Sequence, residues 1–332
     1  MRARSLTGIK PTGSPHIGNY LGAIRPALKL VQDYDAFYFI ADYHALTITP
    51  RPEQLVEQTY AVAATWLALG LNPQEAVFYR QSDIPEIFEL AWFLSCFTPK
   101  GFMNRAHGYK DRLAKNQVAQ TDPDDGVNMG FFSYPVLMAA DILLFSSQVV
   151  PVGQDQKQHL EFARDIALRV NTFYNQDLLL VPNPLIEQDV EVVVGLDGRK
   201  MSKSYNNTIP LFLPEKALQK LVNRIVTNSQ SPEEPKDPES SPVYALHKLF
   251  LTKPQQEEVK SLYRAGGMGW GKAKSLLFET LNQVLSEPRK QYNELQANLP
   301  YIDTVLDQGA IRAREVARET LNRVRRVSGI RP

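Results

Sequence analysis

Cysteine is almost missing from this chain: Cys96 is the only one among 332 residues. An intrachain disulfide and a thiolate-clustered metal site are thereby excluded, and a single thiol fits a reducing compartment. Long apolar runs are missing too, since no stretch approaches the roughly 18 consecutive apolar residues of a membrane-crossing helix. The opening Met1-Arg2-Ala3-Arg4-Ser5 leads at once into glycine- and proline-containing sequence, unlike a secretory leader. A cytoplasmic protein without membrane association is expected. Net charge is nearly absent, at +1, so the chain as a whole offers no electrostatic argument for a partner. There is no internal repeat and no low-complexity tract.

Charge is unevenly spread. From Ile311 to Pro332 there are seven arginines (312, 314, 318, 323, 325, 326 and 331) against Glu315 and Glu319, a local excess of 7 − 2 = +5. An arginine-rich end of this kind is expected to meet nucleic-acid phosphates. A second cationic cluster, Lys200-Met201-Ser202-Lys203-Ser204, follows Leu196-Asp197-Gly198-Arg199. Two ammonium groups and two hydroxyls in five residues suit a polyphosphate.

The N-terminal half alternates strands and helices. Ser5 to Ile9 predicts a strand that breaks at Lys10-Pro11-Thr12-Gly13-Ser14-Pro15, and His16-Ile17-Gly18-Asn19 opens an amphipathic helix through Tyr20, Leu21, Ile24, Leu28 and Val31. A strand, a tight loop and a helix start together place free N–H groups and the positive end of the helix dipole on a bound anion, and Gly18 lets that ligand approach the backbone. Ala36 to Ala41 and Ala76 to Tyr79 predict buried strands, with a helix from about Pro52 to Leu69 between them. Such an order favours a parallel sheet covered by helices on both faces, with ligands at the carboxyl ends of the strands. Lys10, His16 and His44 fall there.

Residues 98 to 130 are polar and irregular. An apolar helix from Tyr134 to Phe145 then carries one carboxylate, Asp141, which is satisfied either by a protein donor or by a ligand. Val149 to Gly153 predicts another strand, followed by Gln154-Asp155-Gln156 at the start of a helix to Val170. Val190 to Val194 is expected to be the last strand, delivering the lysine loop. After Pro214 the pattern is helical (243–252, 255–264, 270–297, 309–327), interrupted by a proline-rich loop at 228–242.

Together these residues resemble a known family. Thr12 to Asn19 is similar to the HIGH signature of class I aminoacyl-tRNA synthetases and Lys200 to Ser204 to their KMSKS signature, about 180 residues apart in the right order. The stretches Tyr134 to Leu143 and Val150 to His159 resemble the bacterial tryptophanyl-tRNA synthetase family over essentially the whole chain. The resemblance implies an α/β fold, a Rossmann-like parallel-sheet catalytic domain at residues 1–205 with an insertion at about 98–148, and an all-α tRNA-binding domain at 206–332. It implies a ligase that uses ATP with Mg²⁺ to activate L-tryptophan, then charges tRNA(Trp), as a homodimer.

Carried over residue by residue, His16, Asn19, Lys200, Lys203, Lys110 and Arg112 would serve catalysis. Lys10, Pro11, Thr12, Gly18, Asn19, Gly153, Gln154, Asp155, Val192, Lys200, Met201, Ser202, Lys203 and Ser204 would hold ATP. Asp141, Tyr134, Met138, Gln156, Gly8 and His44 would hold tryptophan, and no protein metal site is implied. Family members commonly have glutamine at Lys10 and before His44 (here Tyr43), glutamate at Gln154 and lysine at Arg112. The last change replaces a point charge with a planar fork. Two other readings share parts of this pattern: a tyrosyl-tRNA synthetase, whose pocket must satisfy a phenol hydroxyl, and a non-catalytic paralogue that binds tryptophan or RNA.

Overall fold

The computed structural model describes residues 2–151, 157–185 and 192–331. Its centre is a five-stranded, fully parallel sheet ordered β3-β2-β1-β4-β5, formed by β1 (Arg4–Ile9), β2 (Asp35–Ile40), β3 (Val77–Arg80), β4 (Val149–Pro151) and β5 (Asn183–Leu185). The near-continuous apolar run of β2, buried at all but its first residue, is what a strand covered on both faces requires. Trp66, from the helix Pro52–Ala68, is fully buried and stacks on Tyr38 at 4.8 Å. The α/β expectation therefore holds, with two corrections. The last strand among the described residues is Asn183–Leu185, where no strand was expected. Of the expected Val190 to Val194 strand, residues 190 and 191 lie outside the described residues, and Val194 makes only an isolated bridge to Lys200.

The helix after β1 is composite. Ile17–Asn19 is α-helical, Tyr20–Ile24 forms a π turn, and Arg25–Leu30 resumes the α-helix. Pro26 has no N–H to continue the ladder, and a π turn just ahead of it absorbs the missing bond. The polar stretch 98–130 is also more regular than its composition suggested, holding helices Lys100–Met103 and His107–Ala119.

The C-terminal helices are not a separate body. Ile17, Leu21 and Met201 share one buried cluster with Leu218, Tyr244, Leu277 and Leu281, so the two sequence signatures sit on the core of the helical part. The loop 228–242 is tethered rather than free: the buried Lys236 ammonium donates to the carbonyls of Ser231 (2.8 Å) and Glu234 (3.0 Å). The last helix, Leu299–Ser328, begins ten residues before its expected start at 309 and packs against β3, the outermost strand.

This packing engages much of the arginine-rich end within the molecule. Arg312 donates to the carbonyls of Pro73 and Ala76, Arg314 and Arg318 pair with Glu86, and Arg325 pairs with Glu89. Four of the seven guanidinium groups thus hold the helix to the sheet and to the helix Glu86–Cys96. The sequence could not show this, because the two glutamates that pair with three of them lie more than two hundred residues away. Gly309 marks the contact point: a Cβ there would stand 1.7 Å from the Phe78 carbonyl oxygen and 3.0 Å from its nitrogen. Glycine is required by the close approach, and Gly309→Ala is expected to cost at least about 3 kcal/mol in urea unfolding, since backbone cannot yield as a flexible side chain does.

Candidate active site

Strand order reverses between β1 and β4, and at the carboxyl ends of these strands a cavity of about 530 Å³ opens. Its apolar lining includes Gly8, Phe39 and Met138, and its polar groups include His44, Tyr134 and Asp141. A Cβ on Gly8 would lie 2.4 Å from the Phe39 ring, so glycine is what allows that ring to lie across β1.

Asp141 comes from the helix Met129–Leu144 and is 1% exposed. Protein donors meet both of its oxygens. Gln81 Nε2 donates to Oδ1 at 2.8 Å and Oδ2 at 3.0 Å, and His44 Nε2 lies 2.8 Å from Oδ2. Burial nevertheless raises the Asp141 pKa, with the His44 and Gln81 bonds opposing the shift. A further N–H donor from a bound molecule would therefore stabilise the ionised form. Tyr134 closes another side of the cavity, its hydroxyl 2.8 Å from His159 Nε2.

The two cationic loops meet beside this cavity. The Lys203 ammonium donates to the Thr12 carbonyl, and Lys10 donates to Thr47 Oγ1 at 2.8 Å. Lys10, Thr12, Gly13, Asn19 and Lys203 line a smaller adjoining hollow, and Pro11 beside them is buried. Burial lowers the pKa of both lysines. Their partners are neutral oxygens, so two partly desolvated positive charges are left without a carboxylate among the described residues, an arrangement that suits an anionic ligand.

His16 is 7% exposed, its Nδ1 is buried without a partner among the described residues, and its pKa falls to about 4 through burial and then the Lys203 charge. The Asn19 carboxamide accepts from the His16 backbone N–H at 3.1 Å. Gly18 sits against His16 and Met201; a Cβ there would be 2.9 Å from Nδ1 and 3.5 Å from the Met201 sulfur.

One residue the sequence reading missed holds the lysine loop. Asn207 is buried, donates to Asp197 Oδ1 (2.7 Å) and the Lys200 carbonyl (3.1 Å), and accepts from the Ser202 N–H (2.8 Å). Its bond to Asp197, with help from Arg199, lowers the Asp197 pKa to about 2. Met201 is buried in the core below, while Lys200 and Ser204 remain exposed. A second missed residue is Gln81. The available signal was its place just past β3, at the carboxyl end of a parallel strand.

Other expected residues lie outside the cavity. Arg112 stacks over Phe131 at 5.5 Å, next to the cavity rim, but neither it nor the exposed Lys110 lines it. Val192 is exposed. Gly153, Gln154, Asp155 and Gln156 lie outside the described residues.

Residues 1–286 match the family described as tRNA synthetases class I (W and Y). The chain belongs to this synthetase family. Similar relatives include the tryptophan--tRNA ligase of Neisseria meningitidis serogroup A, 52% identical over 334 residues that span 100% of this chain and 99% of the relative. That of Pseudomonas aeruginosa is 48% identical over 335 residues, 100% of this chain and 75% of its own length. Among solved structures, the tryptophanyl-tRNA synthetase of Campylobacter jejuni complexed with ADP and tryptophan is similar with a TM-score of 0.90 at 45% identity, covering 98% of this chain and 100% of that one. A tyrosyl-tRNA synthetase from Archaeoglobus fulgidus, at TM-score 0.61 and 19% identity, shares the fold.

Within this class I synthetase site two outcomes are expected. Asn207→Ala removes three hydrogen bonds from the lysine loop and should cost about 1–3 kcal/mol in chemical unfolding, because the Ser202 and Lys200 backbone groups lose their partner. For His16, the fold favours the neutral imidazole. Its contribution to stability is complete above about pH 6.5 and is lost as pH falls toward 4. Melting temperature followed across that window should drop less in His16→Asn than in the parent chain.

Proposed function

We propose that this chain is a tryptophan–tRNA ligase that activates L-tryptophan with ATP, releases pyrophosphate, and transfers the tryptophanyl group to the terminal ribose of tRNA(Trp). The observation that carries this reading is Asp141, a buried carboxylate at an apolar cavity of amino-acid size whose lining includes Lys10, with Lys203 in the adjoining hollow and neither lysine having an acidic partner among the described residues. The relatives' printed names agree with it.

In this reading the amino-acid carboxylate attacks the α-phosphorus in line, and catalysis consists of positioning and of stabilising charge on phosphate oxygens. Asp141 accepts the indole N–H; Tyr134 and Gln156 hold the α-amino group; Gly8, Met138 and His44 shape the pocket. The neutral His16 and Asn19 donate to phosphate oxygens, and Gly18 with Pro11 and Thr12 gives the nucleotide room. Lys10 helps to hold ATP, and Lys200 and Lys203, with Met201, Ser202 and Ser204 in their loop, draw off the departing pyrophosphate. Gly153, Gln154, Asp155 and Val192 contact adenosine, and Lys110 and Arg112 reach the phosphates from the insertion.

Mg²⁺ travels with ATP, held by phosphate oxygens and water. Residues 1–205, with the 98–148 insertion, form the catalytic part, and 206–332 the tRNA-binding part, except that the last helix is anchored on the sheet. A homodimer working in the cytoplasm completes the proposal. No helix among the described residues is long and apolar enough to cross a membrane.

Pyrophosphate exchange tested with each of the twenty amino acids should respond to tryptophan; a response to tyrosine alone would refute the assignment. In the same assay Lys203→Ala should lower adenylate formation by roughly 10²–10³-fold, with the equilibrium affinity for tryptophan unchanged. Full activity of that variant would remove Lys203 from catalysis.

A further inference from the structure

Arg80, the last residue of β3, meets three carboxylates at once. Its Nε donates to Asp83 at 2.8 Å, Nη1 to Asp303 at 2.8 Å and Nη2 to Asp307 at 2.5 Å. Asp303 and Asp307 stand one turn apart on the helix Leu299–Ser328 and so face the same way. Asp303 is held in turn by the Tyr60 hydroxyl at 2.9 Å.

The 3-10 turn Gln81–Asp83 that follows Arg80 is fixed at every residue. Asp83 takes the Arg80 bond. Ser82 donates to Asp42, from its N–H at 3.0 Å and its hydroxyl at 2.5 Å. The fully buried Gln81 donates to both oxygens of Asp141 and accepts from the His44 N–H at 3.3 Å. Because Gln81 is fully buried, displacing it by an ångström would break its bonds to a carboxylate and a backbone N–H together. The turn consequently has one seat, and the C-terminal helix helps to define it.

We propose that Asp303 and Asp307 are positioning residues for the amino-acid pocket: they anchor Arg80, which seats the Gln81–Asp83 turn, and Gln81 then aims the Asp141 carboxylate and the His44 ring at the bound amino acid. This rests on the reading of Asp141 as the group that meets the tryptophan indole. It makes a helix near the C-terminus part of the amino-acid site, although neither aspartate lines the cavity. A ligand N–H needs a fixed lone pair, and small displacements of supporting groups weaken such a contact without abolishing it.

The test is pyrophosphate exchange by the full chain with Asp303→Asn, Asp307→Asn and the double variant. The KM for tryptophan should rise roughly tenfold in the double variant, with the KM for ATP unchanged. Gln81→Asn should raise the tryptophan KM in the same way, and combining it with Asp303→Asn should add little, as expected of residues acting through one chain of contacts. Added salt should move the unmodified protein toward the Asp307→Asn value, because Asp307 is 63% exposed.

A tryptophan KM unchanged in Asp307→Asn and in the double variant would overturn the proposal. So would parallel rises in both KM values, or a lowered melting temperature with a lower kcat and neither KM moved. Asp307→Asn keeps the shape of an exposed side chain, so the test does not depend on a variant that fails to fold. Absence of tryptophan-dependent exchange in the unmodified protein would instead refute the proposed function.

Discussion

A carboxylate shut away from water constrains much of this structure. Asp141 sits on an apolar helix where no solvent can screen it, and the loops that leave β2 and β3 supply its donors, His44 and Gln81. An isolated buried charge would neutralise itself or destabilise the fold by several kcal/mol. The convergence of three elements on one side chain therefore ties the sheet to the Met129–Leu144 helix and fixes one wall of the cavity. Burial still raises the Asp141 pKa, so stabilisation of the charged form is incomplete until a further donor arrives.

At the cationic loops the logic is inverted. Lys10 and Lys203 bring positive charge close to β1 and bond only to neutral oxygens. Their cost is limited because both remain partly exposed, and their spacing is set from below, where Met201 is embedded in the same core as Ile17. Asn207 clasps the intervening loop. Backbone bonds from Ile17 to the Ile209 carbonyl and from Leu211 to the Pro15 carbonyl, 2.9 and 3.1 Å, stitch the first signature segment to the chain just after the second. An apolar cavity with a carboxylate in its lining and cations in the adjoining hollow suits a substrate that is apolar at one end and joined to a polyphosphate at the other.

The helical C-terminal part is usually thought of as separable when read from composition. Here it is bound twice, once through the shared core around Met201 and once through the last helix, which lies on β3 at Gly309 and holds Arg80, Glu86 and Glu89 through ion pairs. The arginine-rich end thus spends much of its charge within the molecule. The acids that meet it are far away in the sequence, so composition alone does not reveal these pairs.

The sequence by itself determined the alternation of strands and helices, since buried strands are legible as apolar runs and turns as glycine and proline. It also determined the family, because two short signatures at a long fixed separation carry their chemistry in residue type. Asp141 was marked by the oddity of a lone acid in an apolar helix. Only the tertiary structure decided which groups satisfy Asp141, that Asn207 clasps the lysine loop, that Asn183–Leu185 is the last strand among the described residues, and that Arg314, Arg318 and Arg325 of the final helix pair with glutamates. Each of these depends on a contact between distant segments, and a hydrogen bond or ion pair of that kind leaves no periodicity in the chain. Gln81 and Gly309 show the difference most plainly: an ordinary glutamine and an ordinary glycine in the sequence, fixed by a buried carboxylate and by a strand backbone once the chain has folded.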